Sequence, residues 1–414
     1  MFRRFWQYVG KVFHLPKLIA GLQDSRVHPL YSAQHVWQTV ALLLATGRGS
    51  LHAIEADRHG RQPRGTKPGT GPPCDDTLGR VFEVLDPAPL RQMLASILQR
   101  LKRNKTLPLV WNLRFAAVDG HEFFSSRKRH CPDCQQRTIK VGEEEVTEYY
   151  HQGVVCHLVG YDLALPLDVE LLRPGEGEVA AACRLLERVF ANYPRFFDAV
   201  LGDALYCEAP FFNFCLKHGK HAMAVLKGDD RELKRDAQLR FSQLSPVTFI
   251  ANQRQIQAWD LDGFTTMTGV DGKVRVLHSH EEWTTRSRVS GKWESEAESS
   301  DWWWATTIPI SQLPVQQLWK VGHSRWDIEN DAFNYLRKFG ALNHCFRHAP
   351  RAILNFVLTI FVVYVLLQTF YQRNLKPAFR VGMTLIALVR ELLAAWISTG
   401  RILPWLEPVP PDTS

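Results

Sequence analysis

The sequence predicts an α/β protein: a mixed-sheet core carrying a β-rich insertion, with helices before it and after it. Three observations predict this. Segments rich in β-formers begin near residue 107 and then alternate with a helical pattern. Apolar residues recur at helical spacing on both sides of that stretch. The chain has 414 residues, 45% of them hydrophobic, which suffices for one large core and smaller modules and argues against disorder.

Residues 1–106 read as a basic helical DNA-binding region. Val36, Trp37, Val40, Leu43 and Leu44 share one helical face, and Gly47 stands where a helix would stop. The loop 58–73 (RHGRQPRGTKPGTGPP) reads as mobile. Asp75, Asp76 and Thr77 offer an N-cap for a helix buried through Leu78, Val81, Phe82 and Leu85, and Leu90, Leu94, Ile97, Leu98 and Leu101 build another. Residues 1–110 hold 16 Lys/Arg against 7 Asp/Glu, although the whole chain has a net charge of only +8. The basicity is therefore N-terminal, which suits a phosphate backbone and also fits an ordinary basic surface.

Residues 107–227 read as the first part of the core. A strand runs from Leu107 and ends near Asp119; 149–160 and 163–173 are further strands; 175–193 is a helix; and 198–206 is a buried strand delivering Asp203 at its end. A short helix (Ala209–His218) and a strand (Ala222–Leu226) follow. Residues 228–318 read as a β-rich insertion, with strands in 247–264, around 274–285 and at 302–310, and 291–301 as a surface loop. Helical periodicity returns at 323–339, within a 319–372 segment that completes the core, and 373–414 is a C-terminal helical tail. Ile353–Phe370 is nearly long enough to span a bilayer, but it carries Asn355, Thr359 and Gln368. We read it as a buried core helix, with no membrane partner expected. The opening MFRRFWQYVG is basic and amphipathic without a secretory cleavage pattern, and most of the eight cysteines sit singly in apolar stretches, as in a reducing, cytoplasmic compartment.

Three antiparallel strands followed by a βα pattern match an RNase H-like fold, in which carboxylates carry phosphoryl-transfer chemistry. That fold wants one Asp on its first strand, one at the end of its fourth, and an acid on a helix behind the sheet. Asp119, Asp203 and Glu329 stand at those places. Hard carboxylates hold Mg²⁺ or Mn²⁺, which can activate water and neutralise a leaving oxygen. Singly, each acid has another explanation: Asp119 as a turn residue before Gly120, Asp203 as an N-cap, Glu329 as the partner of Arg325 four residues earlier.

The strings AVDG, LGDALY and HSRWDIENDAFNYLRKF, with PCDDTLGRVF near residue 75, resemble the DDE transposases of bacterial insertion sequences, specifically the insertion-sequence-four family, over about residues 75–370. That family's signature is Tyr, two residues, Arg, three residues, Glu, six residues, Lys. Arg325 and Glu329 match; Gly322 stands at the Tyr position and Leu336 at the Lys position, with Arg337 and Lys338 beside it. The resemblance implies cut-and-paste DNA transposition. Asp119, Asp203 and Glu329 would bind divalent metal, and Arg325 would hold phosphate. The partners would be terminal inverted repeats and target DNA, met by at least a dimer near the bacterial nucleoid. A nuclease that cuts without joining and an inactive DNA-binding remnant stay open as alternatives.

Cys131 and Cys134 form a CxxC knuckle, half of a structural Zn²⁺ site, with His130, His151, Cys156 and His157 within reach in sequence. A turn with two free thiols, or a disulfide, has the same spacing. The basic run Arg127, Lys128, Arg129 reads as a DNA contact or a solvated loop. Trp302, Trp303 and Trp304 read as core of the insertion or as a platform for an unpaired base.

Overall fold

The computed structural model describes residues 1–54, 71–107, 113–229, 231–289 and 292–398. Most of the loop 58–73, the start of the strand expected from Leu107, and the end of the C-terminal tail lie outside the described residues. One ten-stranded sheet organises the chain, in the order β2-β3-β1-β5-β6-β10-β9-β8-β7, with β4 also paired to β3. β1 (Phe115–Ser126) lies between β3 (Glu144–Val159) and β5 (Ala199–Gly202), antiparallel to the first and parallel to the second. β2 (Gln135–Val141) and β4 (Leu165–Leu171) pair with successive halves of β3, and β6 (His221–Val225) extends the parallel side. The path β4-β3-β1-β5-β6 is the strand order of an RNase H-like core.

Asp119 is not at the end of its strand. β1 runs on to Ser126, with Asp119 paired to Val155 and Gly120 to Val154. Gly120 suggested a turn, but β3 pairs across it and keeps the ladder extended. The hairpin β2–β3 was also missed, because its polar, exposed residues bury little on either face.

The insertion is antiparallel, as expected, but its strands divide differently. β7 (Val247–Ala251) and β8 (Arg254–Phe264) are joined at Asn252 and Gln253, both at positive φ, a tight hairpin turn whose residues look like strand interior in sequence. Residues 292–301 are not a loop: β10 (Lys292–Thr306) pairs with β9 (Val274–Val289) along its full length. A two-stranded ribbon wet on both faces has no apolar alternation to show. A helix at Glu232–Phe241 also lies in the insertion, where only strands were expected.

The N-terminal helices α1 (Phe2–Phe13), α2 (Leu15–Ala20), α3 (Ala33–Ala45), α4 (Asp75–Val84) and α5 (Pro87–Arg103) share one hydrophobic core with the sheet. α6 (Glu178–Asn192) covers β3 and β4, and α7 (Ala209–Lys217) packs on β6. α8 is the Glu232–Phe241 helix and α9 is Val315–Ser324. α9 is followed by a π-helical turn (Ile328–Phe333), the short α10 (Asn334–Lys338) and α11 (Pro350–Thr369).

Among the described residues α11 is the single helix long and apolar enough to cross a membrane, and it is almost wholly buried inside the protein. Most of its polar side-chain groups are met by protein, the Asn355 Oδ1 excepted. Asn355 donates to the carbonyls of Phe82 and Leu85, Thr359 accepts from the Trp37 indole at 3.0 Å, and Gln368 both donates to and accepts from the Ala164 backbone. Buried polar groups satisfied by neighbouring elements mark the axis of a core.

Candidate active site

The β1–β5 register pairs Ala117 with Leu201. Continued two residues past the ladder, that register points Asp119 and Asp203 toward the same place, and Asp203 is near enough to raise the Asp119 carboxyl by repulsion. β5 stops at Gly202, so Asp203 emerges where the parallel ladder ends, and its carboxylate caps the short turn Ala204–Tyr206 by accepting the Leu205 N–H at 2.8 Å. The N-cap reading of Asp203 and its place near Asp119 therefore hold together. Glu329 arrives from the other side, on the π-helical turn after α9.

Burial raises the Asp119 carboxyl to about 6; Arg325 counteracts this, while Asp203, Glu178 and Glu329 add repulsion. Such crowding is unfavourable without a cation. The Arg325 guanidinium approaches Asp119 at 3.8 Å and covers the Trp326 ring, so its partner is Asp119 rather than Glu329. Its buried Nε has no hydrogen-bond partner and remains a donor for an incoming anion.

Glu178 is a fourth acid that sequence reasoning missed. It opens α6 after the N-cap Gly177, where an acid looks like a simple partner for the helix dipole. Only the fold carries it to the cluster. Its carboxylate accepts from the Tyr206 hydroxyl at 2.8 Å and from Gln152 at 3.1 Å. It lies so close over Gly120 that a Cβ there would push the carboxylate aside. Burial raises its pKa, with Asp203 adding to the rise and the Tyr206 hydrogen bond opposing it. Burial also raises the Tyr206 pKa, so the phenol keeps its proton and donates to Glu178. All of these acids offer oxygen only, the donor set of a hard divalent cation.

Both departures from the Tyr–Arg–Glu–Lys pattern have a physical reason. A Cβ on Gly322 would meet the Trp304 ring at 2.6 Å. Trp304 is buried, stacks with Trp302, and contacts His323, so an aromatic from β10 occupies the space that a side chain at 322 would need. Core packing is thus the role of Trp304. Trp302 meets Trp326 edge-on at 6.1 Å, and Trp303 stacks on His278. At the other end, a π-turn holds one residue more than an α-turn. Arg337, eight residues after Glu329, therefore takes roughly the rotation that Leu336 would have in a straight helix. Leu336 is buried and Arg337 exposed. Arg337 acts electrostatically on His121, which shares a face of β1 with Asp119. Burial, with that contribution, holds the His121 imidazole down at about 4, neutral and in contact with Asn343 at 3.0 Å.

Lys338 is exposed beside Arg337. Arg127, Lys128 and Arg129 are exposed in the β1–β2 loop, where the Lys128 and Arg129 N–H groups donate to the Ser126 hydroxyl. Cys131 and Cys134 end that loop and meet His151 and His348, apart from the carboxylates. His348 was not foreseen. Of the other residues within reach, His130 stacks on Tyr149, Cys156 is buried in the core, and His157 bonds the Leu158 carbonyl.

Residues 125–366, more than half of the chain, match the family model described as Transposase DDE domain; the match takes in Asp203 and Glu329 and begins just after Asp119. No curated protein matches the chain.

Proposed function

The chain belongs to the DDE-domain transposases, and on that premise we propose a cut-and-paste enzyme of the insertion-sequence-four type, with Asp119, Asp203 and Glu329 as its divalent-metal ligands. The observation that supports this reading most is the electrostatic convergence on Asp119, whose carboxyl is raised by Asp203 and by Glu329 from the π-turn, with the β1–β5 register leading toward both Asp residues. Bound Mg²⁺ or Mn²⁺ would supply Lewis-acid activation of water and of the 3′-hydroxyl and would neutralise the leaving oxygen.

The protein's own groups do the rest. Asp119, raised by burial to about 6, gives up its proton as pH approaches neutrality, so the ligand set matures in that range. Glu178, held by Tyr206 and Gln152, adds negative charge near Asp119 and so strengthens the demand for a cation. Arg325, now beside Asp119, would hold the scissile phosphate, with its unpartnered Nε as one donor. Arg337 and Lys338 clamp the strand beyond the cut, Arg337 in the role of the signature Lys. Arg127, Lys128 and Arg129 contact backbone phosphates, and the basic helices of 1–106 bind terminal inverted repeats. Hydrolysis and strand joining are both in-line displacements and share one site. Cutting two element ends together requires a dimer on double-stranded DNA.

Wild type and Asp203→Ala, incubated with the element's own end sequence in Mg²⁺ or Mn²⁺, test the assignment. Cleavage by wild type and a loss on the order of 10³-fold or more in the variant, with binding retained, are expected. Equal cleavage by the two proteins removes Asp203 from the site.

A further inference from the structure

We propose that Cys131, Cys134, His151 and His348 form a closed structural zinc site that fastens the β1–β2 loop to the segment between α10 and α11. The four ligand atoms lie within 4.8 Å of one another. The two sulfurs are 3.7 Å apart, His151 Nε2 is 3.3 and 3.4 Å from them, and His348 Nε2 is 3.1 Å from Cys134 Sγ. A tetrahedral site with Zn–S near 2.3 Å and Zn–N near 2.0–2.1 Å has S···S edges of about 3.8 Å and S···N edges of about 3.6 Å. Three of these four edges are within a few tenths of an ångström of that shape, and the His348–Cys134 edge is shorter by about half an ångström.

Hydrogen bonding alone does not account for it. Cys134 Sγ faces Cys131 Sγ, both imidazoles and the Cys131 N–H, which donates to it at 3.3 Å. A thiol has one proton to share among such partners, whereas a thiolate on a cation satisfies all four. The N–H donated to sulfur is the outer contact that a metal-bound thiolate wants. Two soft sulfurs and two imidazoles select zinc over Mg²⁺, and four protein ligands leave no position for a reacting water.

The sources of the ligands give the site its meaning. Cys131 and Cys134 end the loop carrying Arg127, Lys128 and Arg129; His151 lies on β3, paired with Phe124 of β1; and His348 directly precedes α11. Zinc therefore ties three stretches distant in sequence, and holds the basic loop against the strand pair that carries Asp119. Binding releases the two thiol protons.

The test is metal analysis of the full chain purified without chelator. About one zinc per chain is expected, and Co²⁺ exchanged into the site should show the intense visible bands of a tetrahedral S₂N₂ centre. Cys131→Ser and His348→Ala should lose the metal, while Cys345→Ser, a nearby thiol outside the cluster, should retain it. Wild-type protein with less than about a tenth of an equivalent of zinc overturns the proposal, and this reading does not depend on any variant folding. Zinc retained in His348→Ala, or lost in Cys345→Ser, overturns the ligand set. Cleavage with Mg²⁺ by a zinc-free wild type leaves the active-site reading standing while removing this one.

Discussion

Two clusters of ion-binding residues stand on the same pair of strands and are built to opposite specifications. At Asp119, paired with Val155, the groups are carboxylates that repel one another and an arginine that partly neutralises them. At His151, paired with Phe124, the groups are two thiols and two imidazoles that converge with no charged neighbour needed to balance them. The first is electrostatically unfavourable as it stands, which suits the cation and phosphate proposed for it. The second is already closed. Both draw on the β1–β3 pair with its loop and on the stretch from Arg325 to His348, and the carboxylate cluster adds Asp203 after β5 and Glu178 of α6. The comparison teaches that a strained, exchangeable site can be held in place by an unstrained, permanent one nearby.

The largest expected effect separates the clusters by charge. Asp119→Asn should lower cleavage on the order of 10³-fold or more while leaving zinc content intact. It should also stabilise the metal-free protein at pH 7, on the order of 1 kcal/mol, because a buried charge is removed. The sign follows from the raised carboxyl. The folded state holds this proton more tightly than the unfolded chain, so the stability it contributes is full below the ordinary carboxyl value of 3.8 and is lost as pH rises through about 6. Metal competes with that proton. Stabilisation by Mn²⁺ in thermal unfolding should therefore be weak at pH 5 and strong at pH 7. A Tm gain from Mn²⁺ that does not change between those pH values breaks the electrostatic half of the comparison.

A smaller effect tests how far the oxygen site extends. Glu178→Gln keeps the shape and one acceptor for Tyr206 but removes the charge beside Asp119. Cleavage and Mn²⁺ affinity should fall roughly 10–100-fold, as when a group that orients a metal ligand is lost. Unchanged Mn²⁺ titrations would confine the site to the three acids foreseen in sequence.

What could be read in the sequence follows from how locally each feature is encoded. The order of the main core strands was legible because runs of β-formers are contiguous signals. The three acids proposed as ligands were singled out by strand placement and the RWDIE string, although Asp119 proved to lie within its strand and not at its end. Glu178 was not, since a helix-opening acid looks the same whether or not a sheet delivers Asp119 to it. His348 was hidden for the same reason, standing far along the chain from Cys134. The long ribbon β9–β10 was misread in part because strands wet on both faces lack alternation. Arg337 was ambiguous because sequence does not announce a π-turn, and one extra residue in the turn rotates everything beyond it.

Gly322 gives the finest test of whether the two clusters are independent. An alanine Cβ there would press on the Trp304 ring at 2.6 Å, and both partners are buried, so α9 must shift. Overpacking of this kind costs about 1–3 kcal/mol. The displacement passes along α9 to Arg325 and Glu329 at its C-terminal end, where a small error in phosphate position lowers the rate. Gly322→Ala should therefore reduce cleavage several-fold and lower the Tm, with zinc still stoichiometric, because His348 lies beyond the π-turn and α10. Gly322→Tyr, which would restore the family's signature residue, should fare worse than alanine, since the larger ring competes with Trp304 for one space. If Gly322→Ala also released zinc, the stretch from α9 to His348 would move as one body. The permanent site would then yield with the strained one instead of holding it in place.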